Sequence, residues 1–326
     1  MEFKEIVATV GDDFAAVDRF ILDRLETRVP LIREVAGYIV QSGGKRLRPL
    51  VALLAARAAG YQGDRHINIA GIIELLHTST LLHDDVVDHS DLRRGRPTVN
   101  AVWGNPAAVL VGDFLISRSY QLTVELHDMR LLDILADGTN VISEGEVLQL
   151  LNVRDVETTE ARYMQVIHAK TAKMFESAAE AGAVLGARSD AEAATLRRIL
   201  GGYAKHVGIA FQLIDDVLDY EGDTAELGKN VGDDLAEGKP TLPLIHAMRN
   251  GTPADAQLVR DAIRGAELDK LDAVIAAVRR SGGLAYTRAL AEAEADAAVA
   301  LLAELPASHY RDALAALARL AVHRNH

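Results

Sequence analysis

The chain has no cysteine. That excludes disulfides, zinc fingers and thiol nucleophiles, and it fits a reducing compartment. Proline is scarce, with eight in 326 residues, and aromatic residues make up only 5%. Sustained strand alternation is missing as well, so an all-β architecture is excluded. No stretch of about 18 uncharged apolar residues occurs. The closest, Pro49 to Ala56, stops at Arg57. The start, Met1-Glu2-Phe3-Lys4-Glu5, has neither a basic region nor an apolar run behind it, so it does not read as a signal peptide. The expectation is a cytoplasmic protein without stable membrane insertion. Basic residues number 35 and acidic ones 47, a net charge of −12, with no basic block. Such a chain is a poor nucleic-acid binder.

What is present is helical. Hydrophobic residues make up 49% of the chain, enough to bury a large core. Apolar residues recur in steps of three and four, as in Phe14, Val17, Ile21 and Leu25, or Ile69, Ile72, Ile73 and Leu76. Glycine, proline and polar breakers divide the chain into helices over about 3–27, 31–42, 48–60, 65–89, 105–127, 129–152, 158–186, 190–221, 240–250, 254–265, 268–281, 283–304 and 307–323. The longest polar connection runs from about Glu221 to Lys239. Length alone suggests about two domains. No linker has the composition of a domain boundary, so the expectation is one large all-α domain over 1–326.

One motif occurs twice. Leu82-His83-Asp84-Asp85-Val86-Val87-Asp88 is echoed by Leu213-Ile214-Asp215-Asp216-Val217-Leu218-Asp219. By chance one Asp-Asp-x-x-Asp is expected about 0.07 times in this length, and two with a probability of order 0.002. On a helix, positions i and i+4 share a face, so each motif aims at least two carboxylates in one direction. Like charges so placed cost stability. Both clusters sit in apolar surroundings, which argues against a solvated acidic face. Shared hard cations offset the repulsion. Mg²⁺ takes oxygen ligands while keeping waters and substrate phosphates.

Cations surround the motifs. Arg93 and Arg94 follow the first one. Gly43-Gly44-Lys45-Arg46-Leu47-Arg48-Pro49 places three cations in a glycine-led loop that opens a helix, a setting suited to phosphate oxygens. Lys229 and Lys239 bracket the long polar loop. Carboxylates for metal plus scattered arginine and lysine describe a site for two diphosphate groups. His77 lies two turns before Asp84 on the same face. Lys170-Thr171 and Gln212 sit within long apolar helices, where buried polar groups need partners.

These residues resemble the trans-polyprenyl diphosphate synthases over nearly the whole chain. The likeness runs through GGKRLRP at 43–49, LLHDDVVD at 81–88, RRGRPT at 93–98, GDFL at 112–115, EGEVLQL at 144–150, KT at 170–171, FQLIDDVLD at 211–219 and LGKNVGDDLAEGKPTLP at 227–243. It is closest to the octaprenyl branch, whose product supplies quinone (ubiquinone) side chains. The resemblance implies an all-α bundle of the isoprenoid synthase type around a deep central cavity, acting as a homodimer. It implies three Mg²⁺ ions per site, held by Asp84, Asp85 and Asp88 and by Asp215, Asp216 and Asp219. Arg93 would contact the allylic diphosphate. Lys45, Arg48, His77 and Arg94 would bind isopentenyl diphosphate. Lys170, Thr171, Gln212, Lys229 and Lys239 would line the allylic side, with the loop before Lys239 ordering on ligand binding.

The implied reaction is a prenyl transfer, condensing isopentenyl diphosphate with an allylic (farnesyl) diphosphate in successive trans additions. The Thr171 and Gln212 oxygens would face the allylic carbocation as dipoles. No protein nucleophile is required. The growing chain would run back along the helix bearing Asp84, past Thr80 and Ser79. Both are small, which argues for a long product. The tunnel floor would lie near Thr123 or Leu135, giving an octaprenyl product, with nonaprenyl, decaprenyl or shorter products as alternatives.

Three rival readings are weaker. A class I terpene cyclase has a different second metal motif, of the Asn-Asp/Ser/Glu type. A di-iron bundle needs two Glu-x-x-His motifs, and only Glu74-Leu75-Leu76-His77 is convincing. A non-catalytic partner subunit would lack aspartates that are intact here.

Overall fold

The computed structural model describes residues 1–41, 43–93, 95–221, 232–266 and 268–323. The protein is all-α, as the periodicity requires. Among the described residues the single sheet is a two-residue ladder, β1 (Leu92–Arg93) antiparallel to β2 (Arg96–Pro97). The contacts fall into two compact units. One comprises Met1–Thr139, Met174–Ala204 and Val299–Leu317, the other Asn140–Lys173, Lys205–Ala298 and Ala318–His326.

The first unit is built around two helices that are apolar on every side. In α4 (Leu47–Ala58) all of Pro49 to Ala56 are buried. In α5 (Arg65–Val87) Ile69 to Leu76 form an unbroken buried run. A helix without a polar face belongs at the centre of its layer. Accordingly α5 packs against α2 (Gly11–Arg24), α4 and α7 (Asn105–Glu125), while α3 (Pro30–Gln41) packs on α2. A later helix, Lys173–Gly186, meets α4 at backbone distance. A methyl group on Gly182 would lie 2.6 Å from the Ala52 carbonyl oxygen, and one on Gly186 would meet Ala59. The two glycines, four residues apart, form one small-residue stripe on that helix.

The second unit has its own core. Ile209, Leu213, Ile214 and Val217 on the helix Gly202–Glu221 pack with Leu244, Val259, Ile263, Val274 and Val278. Apolar residues therefore surround the second acidic motif.

The observed helices depart from expectation in informative places. The first splits into α1 (Phe3–Ala8) and α2, because the Thr9 hydroxyl donates to the Ile6 carbonyl and the chain turns before Gly11. A short α6 (Val99–Trp103) was not expected; Thr98 caps it by accepting from the Ala101 amide. The expected helices over 158–186 and 190–221 each contain a π turn, His168–Ala172 and Arg197–Gly201. No described helix is long and apolar enough to cross a membrane.

The glycine stripe gives a direct test. Gly182→Val should cost about 1–3 kcal/mol, because backbone rather than a movable side chain occupies the space. Gly37→Ala, also in a helix but with nothing within 4 Å, should stabilise by about 0.5–1 kcal/mol. Urea unfolding of the two variants checks both signs.

Candidate active site

Both acidic motifs lie at the C-terminal ends of helices. Asp84 and Asp85 occupy the last turn of α5, and Asp88 is its C-terminal cap. Asp215, Asp216 and Asp219 occupy the last two turns of Gly202–Glu221. The negative end of a helix dipole opposes carboxylates placed there. Three such groups in one turn and a half are thus doubly unfavourable without positive charge.

In the first unit the middle aspartate is turned inward. Asp85 is buried, and Arg93 donates to its Oδ1 from Nε at 2.8 Å and from Nη2 at 2.7 Å. The β1–β2 turn brings Arg93 back over the helix end. Thr98 and Asn100 fix that turn by donating to the Ser90 carbonyl. Burial raises the Asp85 carboxyl above the usual carboxylate range. Arg93 pulls it down, while Asp84 and Asp88 push it further up. Asp84 and Asp88 are partly exposed.

The glycine-led loop divides its cations. Arg46 has a left-handed backbone (φ 48°) and turns inward to a buried ion pair with Glu74, with Asp18 at 3.5 Å. It therefore serves the fold, and Glu74 is committed to it rather than to a metal. Lys45 stays exposed. Arg48 lies 3.1 Å from His77 Nε2, with its guanidinium 4.4 Å above the Phe175 ring. The structure thus brings together Arg48 and His77, two residues assigned to one substrate. Arg94 lies outside the described residues.

The second unit holds the other group around a cavity of about 140 Å³, lined by Lys170, Thr171, Gln212, Asp216 and Lys239 among others. Lys170 and Thr171 project from the π turn. Gly145 makes this placement feasible, since a methyl group there would come within 2.8 Å of the Lys170 amide nitrogen. Lys170 Nζ donates to Glu146 Oε2 at 2.6 Å. Lys239 pairs with Glu237, and its amide donates to the Asp234 carbonyl. Lys229 lies outside the described residues, as does most of the loop expected to order on ligand binding.

Asp216 is the centre of a continuous network. The Tyr163 hydroxyl donates to its Oδ2 at 2.5 Å, and Gln212 Nε2 donates to its Oδ1 at 2.8 Å. Thr171 Oγ1 in turn donates to Gln212 Oε1 at 2.9 Å. Burial pushes the Asp216 carboxyl up to about 8, Asp234 adds to this, and the Tyr163 and Gln212 hydrogen bonds oppose it. The Tyr163 phenol is likewise pushed well up, first by burial and then by Asp216. Asp219 is also buried, and its Oδ2 accepts from the Asp234 amide.

The expected tunnel residues all lie in the first unit. Ser79 and Thr123 are buried, with hydroxyls donating to Leu76 and Ser119 carbonyls, and Leu135 is buried too. Thr80 donates to His77. Internal bonding makes the three hydroxyl side chains small and non-demanding toward an apolar neighbour.

Sequence reasoning missed Tyr163, Glu146 and Asp234. Tyr163 carried a usable signal: it falls two turns before Lys170 on an apolar helix face, and a buried tyrosine hydroxyl wants a partner.

Among the described residues, no three His, Asp or Glu side chains converge into a closed metal cage. The donors are nevertheless all carboxylate oxygens, some of them partly exposed. That fits a hard cation which keeps waters and completes its shell with substrate oxygens. In each unit, helix-end carboxylates near arginine or lysine have the chemistry that a divalent ion carrying a diphosphate would need.

Comparison with known proteins agrees. The polyprenyl synthetase family model matches residues 29–279. The octaprenyl diphosphate synthase of Escherichia coli (strain K12) is 50% identical over 326 residues, covering all of both chains. The all-trans-nonaprenyl-diphosphate synthase (geranyl-diphosphate specific) of Rhodobacter capsulatus is 49% identical, over 99% of each chain. A polyprenyl synthase structure from Caulobacter crescentus CB15, complexed with calcium and isoprenyl diphosphate, superposes with a TM-score of 0.94 at 44% identity, covering 100% of this chain and 98% of that one. The chain belongs to the polyprenyl synthetase family.

The buried carboxylates predict a pH dependence. A carboxyl whose folded-state value lies above its unfolded value binds its proton more tightly when folded. Stability then falls as pH rises between the two values. For Asp216 that window runs from 3.8 to about 8. In chelator, wild-type protein should lose unfolding free energy between pH 5 and pH 9, and Asp216→Asn should lose less over the same range. Urea titrations across pH measure both slopes.

Proposed function

We propose that this chain is a trans-polyprenyl diphosphate synthase that adds isopentenyl units to an allylic diphosphate, with farnesyl diphosphate as starter and octaprenyl diphosphate as product. The observation that carries the reading is the pair of Asp-Asp-x-x-Asp motifs, each ending a helix. The 50% identity to the octaprenyl enzyme, over the full length of both chains, supports the product. The near-equal identity to the nonaprenyl enzyme makes a forty-five-carbon product the second reading. The product would serve as a quinone side chain.

Asp84, Asp85 and Asp88, with Asp215, Asp216 and Asp219, would hold Mg²⁺, three ions per site. When bound, these ions neutralise charge developing on the departing diphosphate. Calcium with isoprenyl diphosphate in the Caulobacter crescentus structure supports divalent metal use and the substrate class. Lys45, Arg48, His77 and Arg94 bind the diphosphate of isopentenyl diphosphate. Arg93, Lys170, Lys229 and Lys239 bind that of the allylic substrate. Lys170 and Lys239 each pair with a glutamate here, so the incoming diphosphate competes with Glu146 and Glu237.

The reaction breaks the allylic carbon–oxygen bond, leaving an allylic cation and inorganic diphosphate. The oxygens of Thr171 and Gln212 stabilise the cation as fixed dipoles, and apolar walls exclude water. The isopentenyl double bond supplies the electron pair for the new carbon–carbon bond. The proton then lost from the adduct goes to diphosphate. The elongated allylic chain passes Thr80 and Ser79 toward Thr123 and Leu135, which limit its length.

The same reading treats residues 1–326 as one synthase domain in a cytoplasmic homodimer with no nucleic-acid partner and no stable membrane insertion. Several helices, including Met129–Asn152 and Gly283–Leu302, run unbroken through positions where the two compact units divide, which favours one domain. Exposed apolar side chains favour the dimer: Val109 and Leu110 on α7, and Val147, Leu148, Leu150 and Leu151 on Met129–Asn152.

Incubation with farnesyl diphosphate, labelled isopentenyl diphosphate and Mg²⁺, followed by dephosphorylation and sizing of the alcohols, tests the reading. The expected result is a chelator-sensitive ladder ending at forty carbons. Ser79→Phe should end it earlier. No incorporation would overturn the function, and an unchanged ladder from the variant would overturn the tunnel path.

A further inference from the structure

We infer that Tyr163 is a positioning residue that fixes the direction of the Thr171 dipole. The inference rests on the synthase reading above. It starts from hydrogen-bond direction alone. Both Asp216 oxygens accept, Oδ2 from the Tyr163 hydroxyl and Oδ1 from Gln212 Nε2, and an amide nitrogen only donates. Asp216 therefore forces Gln212 to present Nε2 to it and Oε1 to the opposite side. That side is occupied by Thr171, whose hydroxyl hydrogen must point at Gln212 Oε1. The Thr171 lone pairs are left for the cavity that both residues line. A threonine without this constraint rotates its hydroxyl and can aim a positive hydrogen at a positive substrate.

The chain of constraint ends at Tyr163. Its hydroxyl fills Asp216 Oδ2 at 2.5 Å, in a buried position on Glu160–Ile167, one turn before the π turn that carries Thr171. Without that donor the carboxylate faces a buried site with one oxygen less satisfied and is free to rotate. Gln212 then loses its fixed partner and with it the reason to hold Oε1 toward Thr171. Tyr163 thus acts through Asp216 and Gln212 rather than on the substrate. Buried polar chains of this kind are coupled, so removing one member releases the others.

The test is a double-mutant cycle on the full-length enzyme with farnesyl diphosphate, isopentenyl diphosphate and Mg²⁺. Tyr163→Phe should lower kcat about 10- to 100-fold, with both KM values within about threefold and a melting temperature showing a folded protein. In a Thr171→Val background, where no hydroxyl remains to be oriented, Tyr163→Phe should cause less than about a twofold further loss. In a Thr171→Ser background the full loss should return. Losses that multiply in Thr171→Val, an effect confined to KM, or an unchanged kcat would each overturn the inference. If Tyr163→Phe does not fold, 3-fluorotyrosine at position 163 keeps the ring and alters only its donor strength. A kcat change that vanishes in Thr171→Val then supports the inference, and one that persists or never appears overturns it. Failure of the wild-type enzyme to elongate would instead overturn the synthase reading.

Discussion

Six aspartates are placed where helices least tolerate them. Each motif packs three carboxylates into the C-terminal end of a helix, against the negative end of its dipole and against one another. Everything around them answers that repulsion. In the first motif Asp85 is drawn inward by Arg93; in the second Asp216 is drawn in by Tyr163 and Gln212, and Asp219 is buried beside the Asp234 amide. Asp84, Asp88 and Asp215 stay partly exposed.

The inward-turned aspartates organise the two units in parallel ways. In the first, Asp85 anchors the β1–β2 turn through Arg93. In the second, Asp216 anchors Gln212 and Thr171 beside the cavity. The π turn and Gly145 serve the same end, letting Lys170 and Thr171 reach the cavity from a helix that would otherwise present different residues. This π turn lies where polar groups are aimed.

Much of this was legible in the sequence. Steps of three and four in apolar residues marked the long helices, because a helix buries a face and the period follows from its geometry. The repeated aspartates were legible because no ordinary packing explains them. Nothing local distinguishes Arg46 within its run of three cations, because its partner Glu74 lies 28 positions away. Tyr163 and Asp216 are 53 residues apart, and such a pair leaves no local pattern. The π turns and the break at Thr9 were hidden because one extra or missing residue barely disturbs a hydrophobic period. Arg94 and Lys229, both read as phosphate ligands, fall outside the described residues.

On the proposed function, these carboxylates bind their cation together with a diphosphate. Titration calorimetry with Mg²⁺ and an unreactive thiolo analogue of farnesyl diphosphate tests it most directly. Each ligand should bind weakly alone and at least about tenfold more tightly in the presence of the other, a coupling of roughly 1.4 kcal/mol. Equal affinities with and without the second ligand would contradict the account.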